Sequence, residues 1–253
     1  MRRSRERAAE SCDRLELLER LTKMGLYAIG DLHLSESADK PMDIFGGRWN
    51  NYTEKIKDGF ERLGEDDVCV LCGDISWAMK LEDTRADFEF IERLPGKKII
   101  LKGNHDYWWS TLSKMETFLE SAGIESIEFL HNNCFAYENI AICGTRGWFY
   151  EEERGDSEHD KKIMSREIGR LETSLKAAGD REIYAFLHYP PIYGEYVCSE
   201  ILELFAQYPV TMCCYGHIHG QGSRHAFEGV RDGVRYKMVS ADHIFFIPEK
   251  ILE

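Results

Sequence analysis

Five times along the chain an apolar, strand-forming run stops at residues that bind metals. Leu26–Ile29 leads into Gly30-Asp31-Leu32-His33, Val68–Leu71 into Gly73-Asp74, and Lys98–Leu101 into Gly103-Asn104-His105-Asp106. Ile183–Leu187 leads into His188, and Thr211–Tyr215 into Gly216-His217-Ile218-His219. Open α/β sheets bind ligands at the carboxyl ends of their strands. A fold that lays these five runs side by side therefore gathers all of these side chains in one cleft, although they are scattered over most of the sequence.

The segments between the runs supply the helices such a fold needs. Tyr52, Ile56, Phe60 and Leu63 follow helical spacing, as do Phe88, Ile91 and Leu94 before the stop at Pro95-Gly96, and Leu112, Met115, Leu119 and Ala122 before Gly123. This is the rhythm of βαβ units and a largely parallel sheet. It changes at Phe129-Leu130, Cys134–Tyr137 and Ile140–Cys143, close-set strands with a hairpin turn expected at Glu138-Asn139. A long helix marked by Met164, Ile168, Leu171 and Leu175 closes near Gly179. The end of the chain, Ala226–Val230, Val234–Val239 and Ile244–Ile247, reads as antiparallel strands turned at Asp232-Gly233. Two sheets with helices outside are required. No repeat or low-complexity linker divides the chain, so residues 24–253 are expected to form one domain.

Residues 1–23 stand apart. They are arginine-rich, then carry Leu15, Leu18 and Leu21 at helical spacing, and they precede a complete first core strand. They read either as an N-terminal extension before a natural start at Met24 or as a short amphipathic helix that docks on the body.

The net charge of −13 falls on the body, since the first 23 residues carry seven basic and five acidic side chains. With 43% hydrophobic residues this excludes a disordered chain and makes nucleic acid an unlikely partner. No apolar run reaches the length of a membrane span and the N-terminus lacks a secretory core, so a soluble, cytoplasmic protein is expected. The eight cysteines lie in apolar stretches and read as reduced core residues. Cys69-Val-Leu-Cys72 has zinc-knuckle spacing, but positions three apart on a strand face opposite sides.

On extended backbone, Asp31 and His33 are expected to project together and share one cation, and so are His217 and His219. Imidazole nitrogens mixed with carboxylate and amide oxygens suit Mn, Fe or Zn. The glycines before Asp31, Asp74, Asn104 and His217 are expected to let the backbone approach the ions. Singly each motif is weak: an Asp-x-His pair is common, and Gly-Asn-His-Asp alone is compatible with a plain turn.

Their order, Asp-x-His, Gly-Asp, Gly-Asn-His-Asp, His and Gly-His-x-His, resembles the calcineurin-like metallophosphoesterase superfamily over Leu26 to His219. The resemblance implies an α/β fold, a four-layer αββα sandwich of two mixed β-sheets with flanking helices, holding two divalent or transition metal ions. It implies Asp31, His33, Asp74 and His219 as ligands of the first ion and Asp74, Asn104, His188 and His217 as ligands of the second, with Asp74 bridging. It gives His105 the task of protonating the leaving oxygen or stabilising its charge. Two ions roughly 3.5–4 Å apart can share a water, lower its pKa and aim the hydroxide in line at phosphorus. Direct hydrolysis of a small phosphomonoester or phosphodiester by a metal-bridging hydroxide is the expected activity. The alternatives are a protein or nucleic-acid phosphoesterase and a non-catalytic metal-binding scaffold of the same fold.

In many relatives the Gly-Asp motif continues to a second carboxylate that orients the catalytic histidine; here that place is Trp77. Either Asp106 or Asp242 takes over the orienting role, or His105 is less basic than usual. Arg146 is a candidate for binding a substrate phosphate, with an ordinary surface arginine as the alternative. Trp148 to Lys162 is acidic and polar, a lid or a plain exposed loop. Trp108 and Trp109 wall the leaving-group side or pack in the core, and the oligomeric state stays open.

Overall fold

The computed structural model describes residues 24–38, 40–148 and 158–252. The elements run β1 (Leu26–Ile29), α1 (Tyr52–Phe60), β2 (Val68–Leu71), α2 (Arg85–Glu92), β3 (Lys97–Ile100), α3 (Leu112–Ala122), β4 (Ile127–Phe129), β5 (Cys134–Tyr137) and β6 (Ile140–Thr145). They continue with α4 (Glu158–Ala177), β7 (Glu182–Leu187), a short hairpin of β8 (Ile192–Tyr193) and β9 (Tyr196–Val197), α5 (Ser199–Phe205), β10 (Val210–Tyr215), β11 (Gly229–Arg231), β12 (Val234–Met238) and β13 (Glu249–Leu252). Residues 1–23 and the centre of the proposed lid, 149–157, lie outside the described residues.

The strands form two mixed sheets, one in the order β13-β1-β2-β3-β4 and one in the order β11-β12-β10-β7-β6-β5. Strands of three to six residues bury too little surface to stand alone, and three apolar layers hold them. Ile56, Phe60, Phe88, Ile91, Met115 and Leu119 from α1, α2 and α3 cover the outer face of the first sheet. Leu171, Leu175, Ile201 and Phe205 from α4 and α5 cover the outer face of the second. Val70, Cys72, Ile99, Leu101, Ile142, Phe186 and Cys214 fill the space between the sheets. The result is the αββα sandwich. Cys69 belongs to the outer layer and Cys72 to the inner one, which disposes of the zinc-knuckle reading. Burial raises the pKa of both thiols.

The periodic helices and the parallel core strands sit where the pattern puts them, within a residue or two at their ends. The hairpin turns at Glu138-Asn139, with Tyr137 opposite Ile140. One helix was there to be read and was missed: Ile201, Leu204 and Phe205 are the buried stripe of α5. The C-terminus departs from expectation. Ile244–Ile247 is a turn and not a strand, with Phe245 and Phe246 at φ 57° and 61°. The turn drops Phe246 into the core against Trp49, 5.2 Å between ring centroids. The strand comes two residues later, as β13, which pairs antiparallel to β1. β11 begins only at Gly229, because Gly220–His225 coils as a 3-10 helix.

Candidate active site

The carboxyl ends of β1, β2, β3, β7 and β10 meet at one edge of the sandwich, stitched together by backbone hydrogen bonds. The Asp31 N–H donates to the Gly73 carbonyl at 2.8 Å, that of His33 to Asp74 at 2.9 Å, and that of Gly216 to His188 at 3.1 Å. Asp31, His33, Asp74 and His188 are essentially buried. Two groups of three ligand atoms converge there, one from Asp31, His33 and His219 and one from Asp31, Asp74 and His188, each group within 4.8 Å. Asp74 turns one oxygen toward each side, 3.7 Å from His33 Nε2 and 3.6 Å from His188 Nε2. Asn104 Oδ1 lies 2.6 Å from His188 Nε2 and 2.9 Å from His217 Nδ1. All seven residues expected as ligands are thus brought together. Asp31 is common to both three-residue groups, and Asp74 faces the two sides with separate oxygens.

The local backbone that achieves this is not extended. Asp31, His33, Asp74 and His217 all have left-handed φ, at 60°, 47°, 53° and 76°. Such angles cost of order 1–3 kcal/mol each in a residue with a Cβ, and they gather at functional sites. The same-side projection expected for Asp31 and His33 therefore arises from two successive sharp turns. The neighbouring glycines also serve differently from expectation. A Cβ on Gly103 would lie 2.1 Å from both the Asp74 nitrogen and Asp74 Oδ1, and one on Gly216 would lie 2.5 Å from Asp31 Oδ2. These glycines make room for the adjacent carboxylates rather than for the ions. Gly103→Ala is accordingly expected to displace Asp74, lower stability by about 1–3 kcal/mol as overpacked sites do, and weaken metal binding. Denaturant midpoints and metal titration check this, and unchanged metal affinity would refute it.

The hydrogen bonds behind the ligands fit a metal centre. His188 Nδ1 sits 3.0 Å from the Cys72 carbonyl, and His219 Nδ1 sits 2.8 Å from Asp242 Oδ1. A carbonyl or carboxylate can only accept, so each Nδ1 donates and each Nε2 faces the cluster. With Nδ1 of His188 donating, its Nε2 offers a lone pair toward the Asn104 oxygen, itself an acceptor. His33 Nε2 and His219 Nε2 are 3.2 Å apart. Imidazole nitrogens, carboxylate oxygens and an amide oxygen gathered this closely are a donor set for a shared cation once the protons they hold have left.

The electrostatics agree. Burial lowers the pKa of His33 well below the ordinary imidazole value and that of His217 to about 3, with His219 and His188 respectively adding to the effect. Burial also lowers His188. All three are held neutral, as ligands must be. Burial, followed by the charge of Asp31, pushes Asp74 up to about 8. Burial opposes the charge on Asp31 too, but His219, through its charge and a hydrogen bond, outweighs it and holds that carboxyl below the usual range. His219 is the exception among the imidazoles: burial is outweighed by Asp31 and Asp242, and its pKa rises to about 10. Two buried carboxylates and a protonated imidazole form a pocket that gives up protons when divalent cations enter.

Asp106 does not orient His105. It lies fully buried beneath the site, where it accepts hydrogen bonds from the backbone N–H groups of Gly103, Asp74, Ile75 and Ser76 and from the Trp108 indole. Those bonds tie the Gly-Asp and Gly-Asn-His-Asp loops to one carboxylate, a structural role. Asp242 does not orient His105 either, since it holds His219 and the Gly220 N–H. His105 Nδ1 is buried without a hydrogen-bond partner among the described residues. Its ring packs on Trp77 at 4.6 Å, and Trp77 stacks on His33 at 4.8 Å and 20°. Burial and then His188 lower the pKa of His105, in line with the less basic alternative. Arg146 points its Nη2 at Glu167, 3.3 Å away, beside the cluster. Trp108 is core and Trp109 half-buried against Phe129.

Sequence reasoning did not single out Tyr189, whose ring lies 4.4 Å from that of His217, or Trp49, 5.6 Å from His219. Tyr189 directly follows His188 and was detectable from that position. Trp49 had no such signal.

A two-sheet sandwich with an Asp/His/Asn cluster at its strand ends is a fold and donor set of the kind that metal-dependent phosphoesterases use. Residues 24–221, more than half of the sequence, match the family model for calcineurin-like phosphoesterases, and the chain belongs to that family. Among solved structures it is similar to the phosphopantetheinyl hydrolase of Mycobacterium tuberculosis, with 15% identity and a TM-score of 0.56 over 91% of this chain and 96% of that one. It is also similar to a protein of unknown function from Aquifex aeolicus, with 15% identity and a TM-score of 0.47 over 90% and 95%. The search of curated proteins returns no match. At these identities the structural likeness speaks to the fold alone. Among the described residues no helix is long and apolar enough to cross a membrane.

Proposed function

We propose that the chain hydrolyses a small phosphomonoester or phosphodiester, using two Mn, Fe or Zn ions held by Asp31, His33, Asp74, Asn104, His188, His217 and His219. The observation that carries this reading is the arrival of seven ligand side chains from five strand ends in one cluster, with Asp74 turned to both sides. Bound there, paired divalent cations supply an activated water and neutralise phosphoryl charge.

The protein's own residues do the rest. The His105 N–H donates to Asp74 Oδ1 at 2.8 Å, so the backbone that places the bridging carboxylate also places the His105 ring beside it. From that position the imidazole donates a hydrogen bond or proton to the leaving oxygen. Asp242 fixes His219, and the Cys72 carbonyl fixes His188. A cavity of about 1040 Å³ beside His219, walled in part by Met42, Phe45, Arg48 and Trp49, gives space for a small organic group. The reading includes a cytoplasmic location, supported by the seven free cysteines among the described residues.

The test is metal analysis together with turnover of para-nitrophenyl phosphate and of its bis-ester, with and without added Mn²⁺. Metal-dependent turnover of at least one is expected. Two bound metals with no turnover of either would count heavily for a binding protein or a very selective enzyme.

A further inference from the structure

On the same rim, the ends of β3, β4 and β6 and one face of α4 enclose a second cavity of about 70 Å³, lined by Lys102, His131, Asn132, Arg146, Glu167 and Arg170. That is several times the space one water needs, enough for a tetrahedral oxyanion. Three permanent cations meet one carboxylate here, in a chain whose net charge is −13. The carboxylate is already engaged. Glu167 Oε2 accepts from the Thr145 hydroxyl at 3.0 Å, and Oε1 accepts from Arg146 Nη2 at 3.3 Å and from Arg170 Nη1.

Two nitrogens of the lining remain unmatched. Arg146 Nε and His131 Nδ1 are both buried with no hydrogen-bond partner among the described residues. A buried donor left without an acceptor costs about 1–3 kcal/mol, and the guanidinium Nε–H can only donate. Lys102, Arg146 and Arg170 also crowd positive charge into the same small space, and burial followed by the charges of Arg170 and Lys102 pushes the pKa of His131 down. An anion in the cavity would accept from the Arg146 Nε–H and relieve the repulsion.

We infer that this cavity is a binding subsite for a phosphate group, held by Lys102, Arg146, Arg170 and His131. It is mechanically joined to the metal cluster: Lys102 is two residues before Asn104, and the Arg146 carbonyl accepts from the N–H groups of His188 at 3.1 Å and Tyr189 at 2.9 Å. The bound group is either a second phosphate of the substrate or free inorganic phosphate. Only the first source rests on the hydrolase reading.

The experiment is titration of metal-stripped protein with inorganic phosphate by calorimetry, for the wild type, Arg170→Gln and Lys102→Gln/Arg170→Gln. Affinity is expected to fall at least tenfold in the double variant and severalfold in Arg170→Gln. Arg170 is half exposed, so the single variant keeps the test readable should the double one fail to fold. No measurable phosphate binding, or equal affinity in wild type and Arg170→Gln, overturns the subsite. On metal-loaded protein, alkanediol bisphosphates of two to eight carbons are compared with the matching alkyl monophosphates. A KM at least tenfold lower for one chain length, lost in Arg170→Gln, assigns the subsite to the substrate's second phosphate. Equal KM values with phosphate binding intact assign it to free phosphate. Phosphate binding without turnover of any phosphoester leaves the subsite standing and removes the hydrolase reading.

Discussion

Asp74→Asn is expected to abolish metal pairing and to lower phosphoesterase activity by more than the 10–100-fold that changes behind a metal ligand cost. Asp74 turns one oxygen toward His33 and the other toward His188, whereas Asp31, the other carboxylate near both sides, faces His188 and His219 with a single oxygen. The amide keeps the size and can still accept the His105 N–H, so the loops should stay in place. A stability control separates lost chemistry from misfolding. Burial and Asp31 raise the folded-state pKa of Asp74 to about 8, above its unfolded value. The folded carboxyl then binds more protons than the unfolded one between roughly pH 4 and 8, and stability falls as pH rises through that window. Asparagine removes this penalty. At pH 8 the metal-free variant should therefore be at least as stable as the metal-free wild type, while binding fewer metal ions. Near-normal turnover with two metals per chain would refute the shared-ligand role.

The ligand side chains were legible because an apolar run ending in Asp, Asn or His is a local signal, and the parallel topology turns five local signals into one place. What was not legible is set by long-range packing. Asp242 belongs to no motif, yet it fixes His219 from 23 residues away, on a loop held down by Phe246. The closing strand β13 pairs with β1 across almost the whole described chain, and the more apolar Ile244–Ile247 imitates it. The left-handed turns at Asp31, His33, Asp74 and His217 were invisible for another reason. Such angles are avoided by residues with a Cβ, so composition argues against them wherever neighbouring structure imposes them. Asp106 misled because a carboxylate beside a histidine suggests a partner. Three-dimensional proximity instead gives it four backbone N–H groups and an indole.

His105→Ala is expected to cost about 10²–10⁴-fold in kcat for alkyl phosphates, the usual contribution of a positioned acid, and little for para-nitrophenyl phosphate, whose leaving group departs without protonation. The dependence of rate on leaving-group pKa should steepen in the variant, and equal losses for good and poor leaving groups would exclude a role at the leaving oxygen. The structure adds a second arm, because it is an indole and not a carboxylate that packs on the His105 ring. A carboxylate partner would raise the basicity of the imidazole. Trp77 offers no such charge, and burial together with His188 leaves His105 with a lowered pKa. Trp77 is thus expected to act as a positioning residue, since it packs on the His105 ring on one side and stacks on His33 on the other. Trp77→Ala should reproduce the leaving-group-dependent loss of His105→Ala, whereas Trp77→Phe, which keeps a packing ring, should restore most of it. Were Trp77 merely filling space, Trp77→Ala would lower kcat equally for both classes of substrate.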